Sequence, residues 1–205
     1  MKEFLSQEDI QTIQDELLNG FAKLKKFDRI ITVYGSSRIK ESSSYHQDAN
    51  TIGRMIAKNG FATVTGGGPG IMNAVASGAR DAGGDTFGCN IKLPFEQIPS
   101  AANSELMEFR YFFTRKIILS VHSDAFIILP GGFGTLDELA EILTLMQTGK
   151  RVKAPIFVYG ADFWKPLKTW FEKTLVIHKT ISPGDLDLIT WIDSIPELEE
   201  KLNEL

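Results

Sequence analysis

Apolar residues along the chain follow two alternating rhythms. Short unbroken apolar runs predict strands at Arg29–Tyr34, Phe61–Thr65, Thr86–Ile91, Leu106–Arg110, Asp124–Leu129, Pro155–Tyr159 and Leu188–Ile192. These runs are continuous rather than alternating, as a sheet covered by helices on both faces requires. Between them apolar positions recur at helical spacing, over residues 45–58, 70–82, 112–122, 135–148, 162–176 and 195–204. Repeated strand–helix units predict an α/β fold: a single-domain, Rossmann-like, doubly wound parallel sheet of about seven strands with helices on both faces.

The first 26 residues stand apart from this alternation. Leu5, Ile10, Ile13, Leu17, Leu18, Phe21 and Leu24 form one apolar stripe. The pattern divides the chain into an N-terminal helix, 1–26, and a Rossmann-like domain, 27–205. The helix is expected to cap the domain or a partner subunit without taking part in chemistry. Trp164, Trp170 and Trp191 are expected to pack the late helices onto the sheet.

Composition narrows the classes. The 205 residues are 43% hydrophobic and 23% charged, with a net charge of −4, which fits a globular protein and points away from nucleic acid or an anionic membrane as partner. The single cysteine, Cys89, excludes an intrachain disulfide and a cysteine-rich metal site. His46, His122 and His178 show no metal-ligand spacing, so no metal is expected. The polar N-terminus, "MKEFLSQEDIQTIQDELL", does not read as a signal peptide, and the expected location is cytoplasmic.

Four strand ends carry unusual residues, and ligands of open α/β sheets bind outside such ends. "VYGSSR", Val33 to Arg38, reads by itself as a polar loop. "VTGGGPG", Val64 to Gly70, precedes a helix rich in small residues. It superficially suggests a dinucleotide fingerprint, but the acidic residue expected about 20 positions on is only Asp85, which starts the next strand. Close approach of backbone to substrate is the better account of Gly66, Gly67 and Gly68. "FRYFFTRK" places Arg115 and Lys116 in the first turns of a helix beginning near Tyr111. Two adjacent cations cannot face one site on a regular helix, so they are expected to have different jobs. Finally, "AFIILPGGFGTLDELAEIL" joins a buried strand to a helix through Gly131, Gly132 and Gly134. Such a turn aims free amides and a helix dipole at one spot, favouring a phosphate. Thr135 is expected to cap that helix, with Asp137 and Glu138 in its first turn. A carboxylate there would repel a phosphate and makes better sense reaching past it, toward the hydroxyls of an attached sugar.

From about Arg29 to Asp193 the sequence resembles the LONELY GUY (LOG) family, phosphoribohydrolases acting on cytokinin riboside monophosphates. "PGGFGTLDE", Pro130 to Glu138, fits its PGGxGTxxE signature, with "TRK", Thr114 to Lys116, upstream and "GGGPGIM", Gly66 to Met72, at its second turn. The resemblance implies hydrolysis of the N-glycosidic bond of a purine nucleoside 5′-monophosphate, without a cofactor. It implies Arg115 and Glu138 as the catalytic pair and Gly131, Gly132, Gly134 and Thr135 as the 5′-phosphate loop. Glu96, Lys116 and Thr144 match substrate contacts, and the implied assembly is a homodimer or larger. The family's older label, lysine decarboxylase, finds no pyridoxal phosphate lysine to support it. "FRYFFTRK" departs from the Met-His-rich lead-in of plant members, and with "VYGSSR" and "LPFEQ" points to a bacterial LOG-like branch. Plain AMP therefore stands beside a prenylated nucleotide as substrate.

Two other readings share these turns. A nucleotide-sensing or carrier module would use Arg115 only as a phosphate anchor and would gain little from Glu138. A dehydrogenase would use "TGGGPG" for a nicotinamide cofactor, against the missing acidic residue.

Overall fold

A computed structural model describes residues 5–93 and 100–205. All seven predicted strands are present, with every end within one residue of its expected position: β1 (Ile30–Tyr34), β2 (Ala62–Thr65), β3 (Thr86–Ile91), β4 (Glu105–Phe109), β5 (Ala125–Ile128), β6 (Ile156–Tyr159) and β7 (Ile189–Ile192). They form one sheet in the order β4–β3–β2–β1–β5–β6–β7, every pairing parallel. The chain winds outward from β1 to β4, then crosses to the opposite side of β1 and winds outward again. Tyr34 pairs with Ile128 where the two halves meet, and that reversal is the switch point at which open α/β sheets bind ligands.

Among the described residues seven α-helices cover the two faces: α1 (Gln7–Leu24), α2 (Ser44–Lys58), α3 (Ile71–Asp81), α4 (Phe112–Ser120), α5 (Phe133–Gln147), α6 (Ala161–Trp170) and α7 (Ile195–Asn203). Successive strand residues point to opposite faces. Phe126 and Ile128 therefore join Ile118, Leu139, Ile142 and Trp164 in one core layer. Ile127 and Leu129 join Ile52, Ile56, Val75 and Leu198 in the other. In that second layer α2 and α3 pack at very short range. A Cβ on Gly53 would lie 2.0 Å from the Val75 carbonyl oxygen, and one on Gly78 only 1.9 Å from that of Asn50. The small residues of α3 thus serve helix packing.

Three expectations need correction. The helix over 162–176 is not continuous: α6 passes into a π-helical turn, Phe171–Leu175. Leu167 and Phe171 keep to the core, while Trp170 falls on the outward face and is 49% exposed. Of the three tryptophans, Trp164 is the one fully packed, and Trp191 is half-buried against the core. In α1, Leu17, Phe21 and Leu24 pack inward, but Ile10 and Leu18 are exposed, as is Leu5 just before the helix. The apolar stripe is buried only over its C-terminal part. No described helix is long and apolar enough to cross a membrane.

Candidate functional site

A cavity of about 630 Å³ opens at the switch point, beyond the carboxyl ends of β1 and β2 and the start of α5. Its floor is Tyr34 and the loop Gly35–Arg38. Gly66 and Met72 form one side, Phe112 and Arg115 of α4 another, and Gly132–Glu138 the third. The "VYGSSR" segment, read as a polar loop, is thus a wall of the cavity. It is braced from both neighbours: Ser36 N–H donates to the Pro130 carbonyl at 3.1 Å, and Ile71 N–H donates to the Ser36 carbonyl at 3.0 Å.

Helix α5 begins earlier than its apolar pattern suggests. Gly132 is the extended N-cap and Phe133 the first helical residue; Gly134 carries no apolar signal yet lies within the first turn. Thr135 consequently lies inside the first turn rather than capping it, and Asp137 and Glu138 fall in the second turn. The first-turn amides of α5 have no partner within the helix and open on the cavity. Gly131 does not line it. A Cβ there would sit 2.0 Å from the Thr135 hydroxyl oxygen, so this glycine lets Thr135 fold back over the turn.

Arg115 crosses from α4 to the strand ends. Its Nε donates to the Cys89 carbonyl at 2.7 Å and its Nη2 reaches the Gly66 carbonyl at 3.5 Å. Held on two backbone oxygens, it leaves Nη1 facing Glu138 Oε1 at 4.0 Å. Gly66 makes room for this, since a Cβ there would lie 2.3 Å from Nη2. Glu138 is 6% exposed. Burial pushes its carboxyl up to about 7, against the opposing pull of Arg115 and Lys116 and with help from Glu141 and Asp137. A carboxyl poised near neutrality, in a cleft and beside a fixed cation, is suited to proton transfer or to stabilising a developing positive charge.

The two adjacent cations do face different ways. Lys116 does not line the cavity; it pairs with Glu141 at 2.6 Å and Asp137 at 3.0 Å. Burial lowers its pKa, but the hydrogen bonds to Glu141 and Asp137 outweigh this and raise it. Asp137 reaches the cavity rim. Thr144 is exposed further along α5, its hydroxyl donating to the Ala140 carbonyl at 2.7 Å. Gly67 and Gly68 are buried behind the cavity wall, Gly67 with φ +72° against the backbone of Gly88 and Asn90. Glu96 lies outside the described residues. The structure therefore brings together Gly66, Arg115, Gly132, Gly134, Thr135, Asp137 and Glu138. Sequence reasoning missed the Cys89 carbonyl as the seat of Arg115, since any residue type offers a carbonyl. Met72, Phe112 and the 92%-exposed Phe133 were visible only as apolar residues.

A family profile described as "Possible lysine decarboxylase" matches residues 72–202, although no lysine lines the cavity among the described residues. A cytokinin riboside 5′-monophosphate phosphoribohydrolase of Arabidopsis thaliana is 34% identical over 182 residues, covering 87% of this chain and 83% of the relative. The enzyme of the same name from Rhodococcoides fascians is 32% identical over 159 residues, covering 76% and 80%. Among solved structures, the molybdenum cofactor carrier protein of Chlamydomonas reinhardtii superposes with a TM-score of 0.62 at 22% identity, covering 86% of this chain and 96% of that one; this likeness shows the shared fold. With most of its length matched by the profile and by these phosphoribohydrolases, the chain belongs to the LONELY GUY family.

Proposed function

We propose that the protein hydrolyses the N-glycosidic bond of a purine nucleoside 5′-monophosphate, giving the free base and ribose 5-phosphate. The observation that carries this reading is Glu138: a buried carboxyl, poised near neutrality, 4.0 Å from Arg115 and one turn beyond an anion-favouring helix start. A module built only to hold a nucleotide gains nothing from a buried carboxylate beside a phosphate site. The curated relatives are named for this reaction with cytokinin riboside monophosphates.

The phosphate sits on the α5 turn, held by the amides near Gly132 and Gly134 and by the Thr135 hydroxyl, with Gly131 and Gly66–Gly68 shaping the turns behind. This anchoring is remote from the reacting carbon and serves to position it. As the bond from ribose C1′ to the base nitrogen breaks, the electron pair leaves with the base and the sugar ring becomes oxocarbenium-like. Ionised Glu138 stabilises that charge and takes a proton from the water attacking C1′; that proton then passes to the departing base, which leaves neutral with Glu138 ionised again. Arg115 holds Glu138 in its ionised form and offsets negative charge on the departing base. Asp137 and Lys116 order the rim, and Glu96 is a substrate contact carried by the family resemblance.

The protein acts as a homodimer or larger assembly. Phe113 and Ile117 on α4 and Val121 at its C-cap are exposed at intervals of four, an apolar stripe beside the cavity that a second copy would cover. Thr144, exposed outside the cavity, meets substrate only where a second copy completes the site. Light scattering of the purified chain tests the assembly. AMP and a prenylated adenosine monophosphate are the candidate substrates, and a cytoplasmic location fits nucleotides of this kind.

The deciding experiment is chromatographic detection of base released from AMP and from isopentenyl-adenosine monophosphate, with Glu138→Gln as control. Wild-type release with a loss of roughly 10²–10⁴-fold in the variant and retained nucleotide binding is the expected result. Undiminished release by Glu138→Gln sinks the assignment of that residue. Nucleotide binding without release by the wild type makes the protein a carrier or sensor.

A further inference from the structure

Helix α4 carries Arg115 but has no cap of its own. Its N-cap residue, Tyr111, makes no side-chain capping hydrogen bond. The residues around this helix start are held instead from α1. The Glu16 carboxylate, 7% exposed, accepts the backbone N–H of Arg110 and the hydroxyl of Thr114, which lie 94 and 98 residues further along the chain. Asp9 accepts the Tyr111 hydroxyl at 2.6 Å and pairs with the Arg110 guanidinium at 3.0 Å. At the other end of α1, Lys23 and Lys26 both pair with Glu105 at the start of β4. Gly20 lets the helices approach, since a Cβ there would lie 2.5 Å from Ile118 Cγ1.

A helix that merely shielded the core would not bury a carboxylate, which is costly unless fully hydrogen-bonded. Placed at a helix N-terminus, however, an anion is favoured by the dipole and makes charge-assisted hydrogen bonds. Thr114, which Glu16 holds, immediately precedes Arg115. The attitude of that single turn decides whether Arg115 reaches the Cys89 carbonyl and presents Nη1 to Glu138.

We infer that Glu16, supported by Asp9, is a positioning residue that sets Arg115 against Glu138 through the first turn of α4. Its kinetic consequence rests on the hydrolase reading above; its geometry does not.

The test uses the full chain with Glu16→Ala, Glu16→Gln, Thr114→Val and Thr114→Ser, measuring kcat and KM separately across pH, and hydrogen exchange of the amides over residues 110–116. Expected for Glu16→Ala and Thr114→Val is a fall in kcat of roughly 10–100-fold, the size of effect that a misplaced reacting geometry produces, with KM little changed. Thr114→Ser, which keeps the hydroxyl, restores the rate. Glu138 is faced by Arg115 and Lys116 from α4, Asp137 and Glu141 from α5, Tyr34 from β1 and Cys89 from β3. Arg115 is the group displaced, and any accompanying movement of Lys116 acts in the same direction, so the acidic limb of the rate profile moves to higher pH. Loss of stability alone leaves that limb in place.

A folded Glu16→Ala protein with wild-type kcat and an unmoved limb overturns the inference. If Glu16→Ala does not fold, Glu16→Gln, which keeps the size and loses the charge, decides in the same way; the Thr114 variants serve only as support, because that hydroxyl also reaches the Tyr111 carbonyl at 2.9 Å. If the wild type releases no base, the hydrolase reading fails and exchange decides the rest. Faster exchange over 110–116 in Glu16→Gln, with the rest of the chain unchanged, supports the positioning role, and unchanged exchange there refutes it.

Discussion

The two helices that face each other across the cavity begin in opposite ways. The start of α5 is built from its own neighbourhood: Gly132 caps it, and Gly131 lets Thr135 fold back, all within five residues. The start of α4 is built from outside, by Glu16 and Asp9. Its far end is too, where Arg151 donates to the carbonyls of Ser120 and Ser123. An anion sits at the N-terminus and a cation at the C-terminus, each the sign the dipole favours. The two constructions match two tasks. A turn of the kind proposed to hold a phosphate needs backbone amides and one neighbouring hydroxyl, which local sequence can specify. An arginine that must meet a carboxylate at a set distance needs its whole helix held in place, which only tertiary contacts provide.

This contrast can be broken first at Arg115. Arg115→Lys keeps the charge but loses the fork that grips the Cys89 and Gly66 carbonyls. A fall in kcat of about 10²–10³-fold is expected, the loss that follows removal of one preorganised electrostatic group; an unchanged kcat means the fork does not matter. On the α5 side, Gly131→Val should act through binding instead. It drives a side chain into Thr135 and raises KM by about 10-fold or more, with kcat less affected. Steady-state kinetics of the two variants side by side show whether the helix starts divide the labour as described.

The third test concerns stability. The folded pKa of Glu138 is raised from 4.5 to about 7. The folded state therefore holds that proton more tightly than the unfolded state, and ionising the buried group costs stability. The cost is absent below the unfolded value and complete above pH 7. Glu138→Gln should thus stabilise the fold by about 1–3 kcal/mol above neutrality, the gain vanishing as pH falls toward 4.5. Thermal melts at alkaline and acidic pH check the sign. A variant less stable at both would mean that contacts made by Glu138 outweigh its burial. The smallest effect is expected for Lys116→Met. It removes the pairs with Asp137 and Glu141, at about 1 kcal/mol or less for such partly exposed bridges, and leaves kcat within a few-fold. A large loss would bring Lys116 into the reaction itself.

How much of this was legible in the sequence follows the same division. The seven strands announced themselves as unbroken apolar runs, and the glycine turn after β5 fell at the strand end where ligands gather. Arg115 and Glu138 were legible through the family signature. The start of α5 was not, because Phe133 and Gly134 give no helical apolar signal. Glu16 was hidden more deeply. On α1 it reads as one acidic residue among several on a polar face, and its partners lie 94 and 98 residues away. Nothing local marks it as buried. The polar-loop reading of Val33–Arg38 missed its place in the cavity wall for the related reason that Pro130 and Ile71, which hold it, come from two other strand ends.

The reciprocal glycines of α2 and α3 have a consequence for reading mutational data. At Gly53 and Gly78 the neighbouring helix's carbonyl already occupies the place of a side chain, so every substitution there pries the two helices apart. In a saturation library under selection for activity, positions 53 and 78 will be depleted as thoroughly as position 138. Their loss will track the amount of folded protein, whereas variants at 138, on the catalytic role proposed for it, will be abundant and inert. Depletion scores alone would merge the two groups into one apparent site. A parallel measurement of protein abundance separates the residues that build the scaffold from those that act in the cavity.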